Sequence, residues 1–248
     1  MATALGLDAL WDSAPRSAGT FATGDLHGLL DPARRYLEHA IAPGTPLVVA
    51  VRIRMHGEIK IRRWFPFRAE EVIRWDRGLL WRAVVRMYGL PVRGFDRLVD
   101  GESRLQWRLL GLVPLVSAGG ADVTRSGAGR LAAESVWLPS VLCRQGVAWT
   151  TAGPSQPRVR FTVMGEPAEL LLTIGGSGQL QQISLPRWGN PDGGPFQHHL
   201  FGGIVEDERT FSGYTIPTRL RIGWHAGTER FESGGEFFRV TVDDASYR

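Results

Sequence analysis

The stretch Val49-Ala50-Val51-Arg52-Ile53-Arg54-Met55-His56-Gly57-Glu58-Ile59-Lys60-Ile61-Arg62 decides how this chain folds. Val49, Val51, Ile53 and Met55 fall on one side of a two-residue period, and Arg52, Arg54 and His56 on the other. That alternation is the pattern of a strand buried on one face and wet on the other. Gly57 then reads as a turn, with Ile59 and Ile61 opposing Glu58, Lys60 and Arg62 on the returning strand, which predicts a hairpin.

The same alternation recurs along the chain. Trp81, Ala83, Val85 and Met87 oppose Arg82 and Arg86, and Leu105, Trp107 and Leu109 oppose Arg104, Gln106 and Arg108. Val159, Phe161 and Val163 alternate with Arg158 and Arg160, Ile216 to Trp224 with Arg219 and Arg221, and Phe238, Val240 and Val242 close the series. Weaker runs lie at 95–99, 168–174, 180–185 and 205–211. One apolar and one arginine-rich face, strand after strand, predicts a mainly β protein with a single curved antiparallel sheet covered on its concave side only. Roughly ten to twelve strands are expected, a number at which open sheets curl toward a half-open barrel.

Two segments break the rhythm. Asp31-Pro32 opens a helix over 32–41, with Asp31 as cap and Pro32 at the first helical position, and Tyr36, Leu37 and Ile41 give it an apolar face. Ala128, Leu131, Ala132, Ser135 and Leu138 recur at helical spacing, so 123–138 is expected to form a helix plugging the concave face. Residues 1–30 show no sustained period and read as a flexible arm with a short helix near Leu5–Trp11. Residues 31–248 read as one half-barrel domain, because the alternation resumes after the Thr151–Pro157 loop.

Composition narrows the function classes. The chain has 248 residues, 43% hydrophobic and 22% charged, the balance of an ordinary globular protein. Cys143 is its one cysteine, which excludes an intrachain disulfide. The net charge of +4 is carried almost wholly by arginine, since Lys60 is the only lysine, and it is spread over many strands. That spread argues against nucleic-acid binding. The longest apolar run, Leu109 to Ala121, contains Pro114 and three glycines and is too short to span a bilayer. The first thirty residues show no basic segment leading into an apolar one, so the expected location is cytoplasmic and no integral membrane association is expected.

Four acid/base candidates stand out. Glu134 shares a helix face with Leu131 and Leu138, so a plug helix carries it inward, either into a buried ion pair or into a ligand-orienting or proton-transferring role. Glu206, Asp207 and Glu208 alternate across a strand, which puts Glu206 and Glu208 on one face, with Arg187, Arg209 and Arg219 as possible partners. Asp96 sits between Phe95 and Arg97. Tyr214 follows Gly213 in a turn, where its hydroxyl can cap a pocket or simply pack. The aromatic set Trp81, Phe95, Trp107, Trp137, Phe161, Trp188, Phe201 and Trp224 either fills the space between helix and sheet or lines a ligand cavity there. His198-His199 point to opposite faces without companions at ligand spacing, so neither metal nor cofactor is expected.

Pro66–Val72, Val92–Asp96, Gly129–Pro139, Ser184–Gly189 and Phe201–Pro217 resemble an uncharacterised, largely actinobacterial domain-of-unknown-function family. The resemblance runs from about Asp31 to Arg248. The strand order and central helix are similar to the LolA/LolB-like lipoprotein-carrier fold, a half-open antiparallel barrel lidded by helices, although this chain shows no lipobox cysteine. The resemblance implies an apolar cavity. The expected function is therefore a carrier or binding protein for a hydrophobic small molecule, lipid or acyl chain. Leu131 and the aromatic set would hold its apolar part, and Glu134, Arg187 and Glu206 would orient a polar head. A secondary-metabolite cyclase or isomerase working through buried carboxylates in the same cavity is the alternative. The oligomeric state is not encoded in any pattern of this chain.

Overall fold

The period-two stretches become thirteen strands in the structure, a computed structural model that describes residues 6–17 and 19–248. They are β1 (Ala50–Ile61), β2 (Arg63–Arg74), β3 (Gly78–Met87), β4 (Leu90–Val99), β5 (Glu102–Leu109), β6 (Val113–Gly119), β7 (Ala148–Gly153), β8 (Gln156–Val163), β9 (Glu166–Ile174), β10 (Leu180–Gly189), β11 (Gln197–Phe211), β12 (Tyr214–Trp224) and β13 (Glu236–Tyr247). All belong to one curved, open antiparallel sheet ordered β6-β5-β4-β3-β2-β1-β13-β12-β11-β10-β9-β8-β7. Each hairpin neighbour in sequence is a neighbour in space. The exception is the centre, where the first strand pairs with the last and Val51 lies opposite Tyr247.

This count exceeds the expected ten to twelve for identifiable reasons. The turn after β1 lies at Arg62, held at a φ of 66°, and not at Gly57. Gly57 stays inside the strand, where the backbone of Arg239 approaches too closely for any Cβ. What reads as a short hairpin is thus one long strand followed by a full partner, β2. The edge strands β6 and β7 are mostly exposed and so lack the apolar alternation by which strands are recognised.

The two edges of the sheet are consecutive in sequence, and residues 120–147 strap one to the other across the inner face. The strap is the helix position 123–138 predicted, but its α-helix ends earlier. Leu7–Asp12 forms α1, Asp31–Ala40 forms α2, and the strap helix α3 covers Ala121–Ala133. Single 3-10 turns follow at Glu134–Trp137 and Pro139–Cys143. Pro139 forces the break, because the residue before a proline is driven out of the helical region, and Leu138 sits at φ −135°. α3 buries Ala128, Leu131, Ala132 and Ala133 against the main core, while α2 adds Tyr36, Leu37 and Ala40 from the side.

The described part of the N-terminal arm, residues 6–17 and 19–30, is packed and not loose. Leu7 and Leu10 of α1 bury Val72, Leu80 and Val99 on the outer face of the sheet, and Phe21 and Leu26 enter the main core. Phe21 donates its N–H to the Thr45 carbonyl at 2.8 Å, and Leu47 donates to Gly19 at 2.8 Å. The convex side is therefore covered locally, against the expectation of concave cover alone. The reason is that Val72, Leu80 and Val99 occupy the outward phase of their strands and need a lid. Leu10 is fully buried, so Leu10→Ala should destabilise the protein by about 2–4 kcal/mol, read as a lowered urea midpoint at unchanged m. A midpoint equal to that of the natural chain would mean that α1 contributes nothing to the fold.

Candidate functional site

β2 carries its inward side chains in the order Phe65, Phe67, Ala69, Glu71, Ile73, so a carboxylate stands in an apolar phase. Glu71 pairs in register with Ile53 and Trp81, and Trp81 with Asp96, which puts both acids on the concave face. α3 lowers Arg130 and, one turn later, Glu134 onto the same spot. Arg130 donates from Nε to Glu134 at 2.6 Å, from Nη2 to Glu71 at 2.7 Å and from Nη1 to Asp96 at 3.3 Å. One guanidinium thus ties the helix to β2 and β4. Trp107 Nε1 donates to the second oxygen of Asp96 at 3.1 Å.

A second guanidinium approaches from β10. Arg187 donates to the Ser126 carbonyl at 3.1 Å and lies 4.5 Å from the Phe201 ring and 5.3 Å from that of Trp224. It forms no ion pair among the described residues. α3 can lie this close only because position 129 is glycine, since a Cβ there would come within 2.8 Å of Arg187 Cγ. Between the cluster and the sheet runs a pocket of about 160 Å³. Its apolar wall includes Met55, Trp81, Val136, Trp137, Ile183, Phe201 and Leu220, and its polar wall is Glu71, Asp96, Glu134, Arg130 and Arg187. Ile59, Ile222 and Phe238 lie in register on β1, β12 and β13 and line the pocket toward the end of the sheet that bears the Arg62 turn.

The electrostatics of this wall are lopsided. Burial and then the neighbouring Glu134 raise the Glu71 pKa well above the ordinary glutamate range, and Arg130 only partly opposes them. Burial also raises that of Asp96, against the pull of Arg130 and the Trp107 bond. Burial works against the Arg130 charge too, but Glu134, Glu71 and Asp96 outweigh it and hold the guanidinium firmly protonated. Arg187, half-buried against the helix and repelled by Arg130, is pushed down to about 10. Three carboxylates face two guanidiniums, and a proton on Glu71 balances them. The same proton resolves a second mismatch. Glu71 Oε2 and Glu134 Oε2 are both buried without a hydrogen-bond partner, and an O–H on Glu71 directed at Glu134 satisfies both.

Of the residues singled out from sequence, Trp81, Asp96, Glu134, Trp137, Arg187 and Phe201 line the pocket. The others lie elsewhere. Phe95 occupies the outward phase of β4, opposite Arg82, and packs toward α1. Leu131 is sealed in the core, and Phe161 packs on Trp75. Trp107 and Trp224 stand behind the wall, holding Asp96 and Arg187. Trp188 bonds to Asp122 at 2.8 Å over the start of α3. Glu206 is exposed and paired with Arg219 at 3.1 Å. Register shifts at Val205–Glu208 break the strict alternation, so Glu208 turns in to accept from His39 at 2.8 Å and from the Leu180 N–H. Tyr214 is buried outside the pocket, donating to the Pro46 carbonyl and stacked on Tyr247. Glu71 and Arg130, the hub of the site, were missed. The available signal was the acid at an apolar phase of Phe65-x-Phe67-x-Ala69-x-Glu71-x-Ile73.

The molecule is thus an open curved sheet strapped by a helix, with a small apolar pocket closed at its base by a carboxylate–guanidinium cluster. The chain belongs to a family of unknown function, DUF6920, whose model matches residues 27–247. Among curated proteins none matches it significantly. Among solved structures it is similar to a LolA superfamily protein from Nitrosomonas europaea, at 10% identity and a TM-score of 0.42, covering 88% of this chain and 92% of that one. It is also similar to a Vibrio parahaemolyticus domain described as outer membrane lipoprotein-sorting, at 8% identity and a TM-score of 0.42, covering 80% and 85%. No helix among the described residues is long and apolar enough to cross a membrane.

Glu71 keeps its proton in the folded chain to a higher pH than in the unfolded one. Its contribution to stability is therefore complete below the ordinary glutamate value of about 4.3 and is lost as pH rises through the raised folded value. Glu71→Gln mimics the protonated acid, so its stability should stay within about 1 kcal/mol of the natural protein at acid pH and exceed it as pH rises. Arg130→Gln strands three carboxylates and should cost about 3–5 kcal/mol. Denaturant titrations of both variants across that pH range read the two effects. An Arg130→Gln protein of natural stability would show that the cluster carries no weight.

Proposed function

We propose that the protein binds a hydrophobic small molecule or the end of an acyl chain in this pocket, with the carboxylate–guanidinium cluster receiving the polar group of the ligand. The observation that carries this reading is a pocket walled by Trp81, Trp137, Phe201 and Leu220 whose floor holds Arg187, a half-buried cation without a carboxylate partner among the described residues. A pocket of about 160 Å³ is close to the roughly 150 Å³ that accommodates benzene in an engineered apolar cavity. Longer ligands would continue past Ile59 and Phe238 toward the open end of the sheet. Affinity would come from burying apolar area at about 25 cal/mol per Å².

The test uses N-phenyl-1-naphthylamine fluorescence together with native mass spectrometry of the purified chain. Ala133→Phe projects into the pocket and Ile222→Trp narrows its open end, so both should weaken probe binding roughly tenfold or more, a loss of about 1.4 kcal/mol. Unchanged binding in two folded variants would remove the pocket from consideration. The proton assigned to Glu71 favours a second reading, an isomerase or cyclase in which Glu71 and Glu134 move a proton. Glu71→Gln discriminates the two, because it should retain ligand under the first reading and abolish turnover under the second.

A further inference from the structure

Eleven large hydrophobic side chains are exposed among the described residues, and nine of them lie on the three consecutive hairpins β1–β2, β3–β4 and β5–β6. Six of the nine sit at or beside the turns, namely Ile61, Tyr88, Leu90, Leu110, Leu112 and Val113, with Leu112 77% and Tyr88 73% exposed. Because these strands are neighbours in the sheet, their three turns fall at the same end of it. This is also the end toward which the pocket row Ile59–Phe238–Ile222 points. A scatter of single exposed leucines is ordinary, whereas a concentration at one rim marks an interaction surface.

The charges of the same segments are one-sided. Residues 59–69, 77–95 and 103–121 contain no Asp or Glu. Their exposed arginines, Arg62, Arg63, Arg86, Arg93 and Arg108 among them, form no ion pair with any described residue. The opposite end of the same six strands is built differently. Its turns carry Asp76 and Asp100, which pair with Arg74 at 2.6 Å and with Arg77 at 2.5 Å. Amphipathic aromatics sit just behind the apolar tips, with Arg63 over the Tyr88 ring at 5.4 Å and Lys60 over Trp64 at 5.8 Å.

The turn conformations point the same way. Tyr88 and Leu110 have φ of 52° and 55°, a left-handed geometry that suits Gly, Asn or Asp and disfavours large side chains. At the far end Asp100 occupies the same conformation at 53°. The turn itself favours Asn or Asp at all three sites, and Tyr88 and Leu110, like Arg62 and Met164, put large side chains there instead.

We propose that the three hairpin tips form a docking surface for an anionic lipid bilayer. The apolar side chains would enter the headgroup boundary while Tyr88 and Trp64 settle at the interface and the unpaired arginines meet lipid phosphates. The side chains project from turn apices flanked by cations, which suits insertion between lipids better than a flat contact with a folded partner. This inference stands on the surface alone and does not depend on what the pocket holds.

Co-sedimentation of the full chain with phosphatidylcholine vesicles, with and without phosphatidylglycerol, tests it. The protein should pellet with the anionic vesicles, and less so at high salt. Tyr88→Asn combined with Leu110→Asn should keep or raise the melting temperature, because Asn suits both turns, yet weaken vesicle binding by roughly tenfold or more. Arg93→Glu with Arg108→Glu should do the same through charge. A natural chain that stays in the supernatant, or an asparagine variant that binds as well as the natural chain, overturns the proposal. So does a dimer, seen by light scattering, that these substitutions dissolve while no vesicle binding occurs, since the rim would then join copies. Retention of duplex DNA in preference to the anionic vesicles would equally overturn it.

Discussion

Everything on the concave face is organised around the guanidinium of Arg130. It meets Glu71 on β2, Asp96 on β4 and Glu134 one turn along its own helix, and so pins α3 to one half of the sheet. The other half is held by Gly129, which lets the helix settle onto Arg187 of β10. A helix of small residues, with Ala128, Ala132 and Ala133 on its buried side, has little apolar area with which to hold its position. Direction comes from the charges. The arrangement leaves an apolar space between strap and sheet, because a short linkage at one point keeps the helix from sinking further.

Buried charge networks stabilise a fold only when every member is satisfied. Here the count of carboxylates exceeds the count of guanidiniums, and the raised Glu71 pKa lets a proton, and not a further cation, take up the surplus. That choice makes the base of the pocket neutral in sum yet dense in donors and acceptors. Such a surface can receive a polar group without first shedding a strongly bound counter-charge. Arg187, the cation that does not share in the Arg130 network, is the softer of the two because of desolvation and then repulsion by Arg130.

Most of the sheet was legible because alternation is a direct image of one-sided burial. Trp81, Leu105, Trp107, Phe161, Leu220 and Val240 all keep the phase their sequence shows. The failures have separate causes. β6 and β7 are edges with little buried face, Phe95 alternates with arginines on the outward side because α1 covers it, and Gly57 marks a close crossing of strands and not a turn. The site was half legible. Glu134 could be placed by helical spacing, and Asp96 could be suspected, but their common partner Arg130 and the fully buried Glu71 were hidden among many similar charges. Periodicity alone would have exposed Glu71, an acid at the fourth position of an otherwise apolar phase. Glu206 looked more informative because its neighbours are acidic too, yet a crowded surface strand gathers charge without burying it.

The pairing of β1 with β13 bears on how the molecule comes into being. β1 to β6 are successive hairpins, and β7 to β13 likewise pair in sequence order, so each half can assemble from contacts close in sequence. The central seam cannot. Val51 meets Tyr247 only after the last strand has been made, and the loop that closes there takes in almost the whole chain. Closure of so long a loop gives the seam the largest entropic cost of any pairing in the sheet. During synthesis on the ribosome, β1 would remain an open template throughout, presenting Ile53 and Met55 beside unpaired backbone.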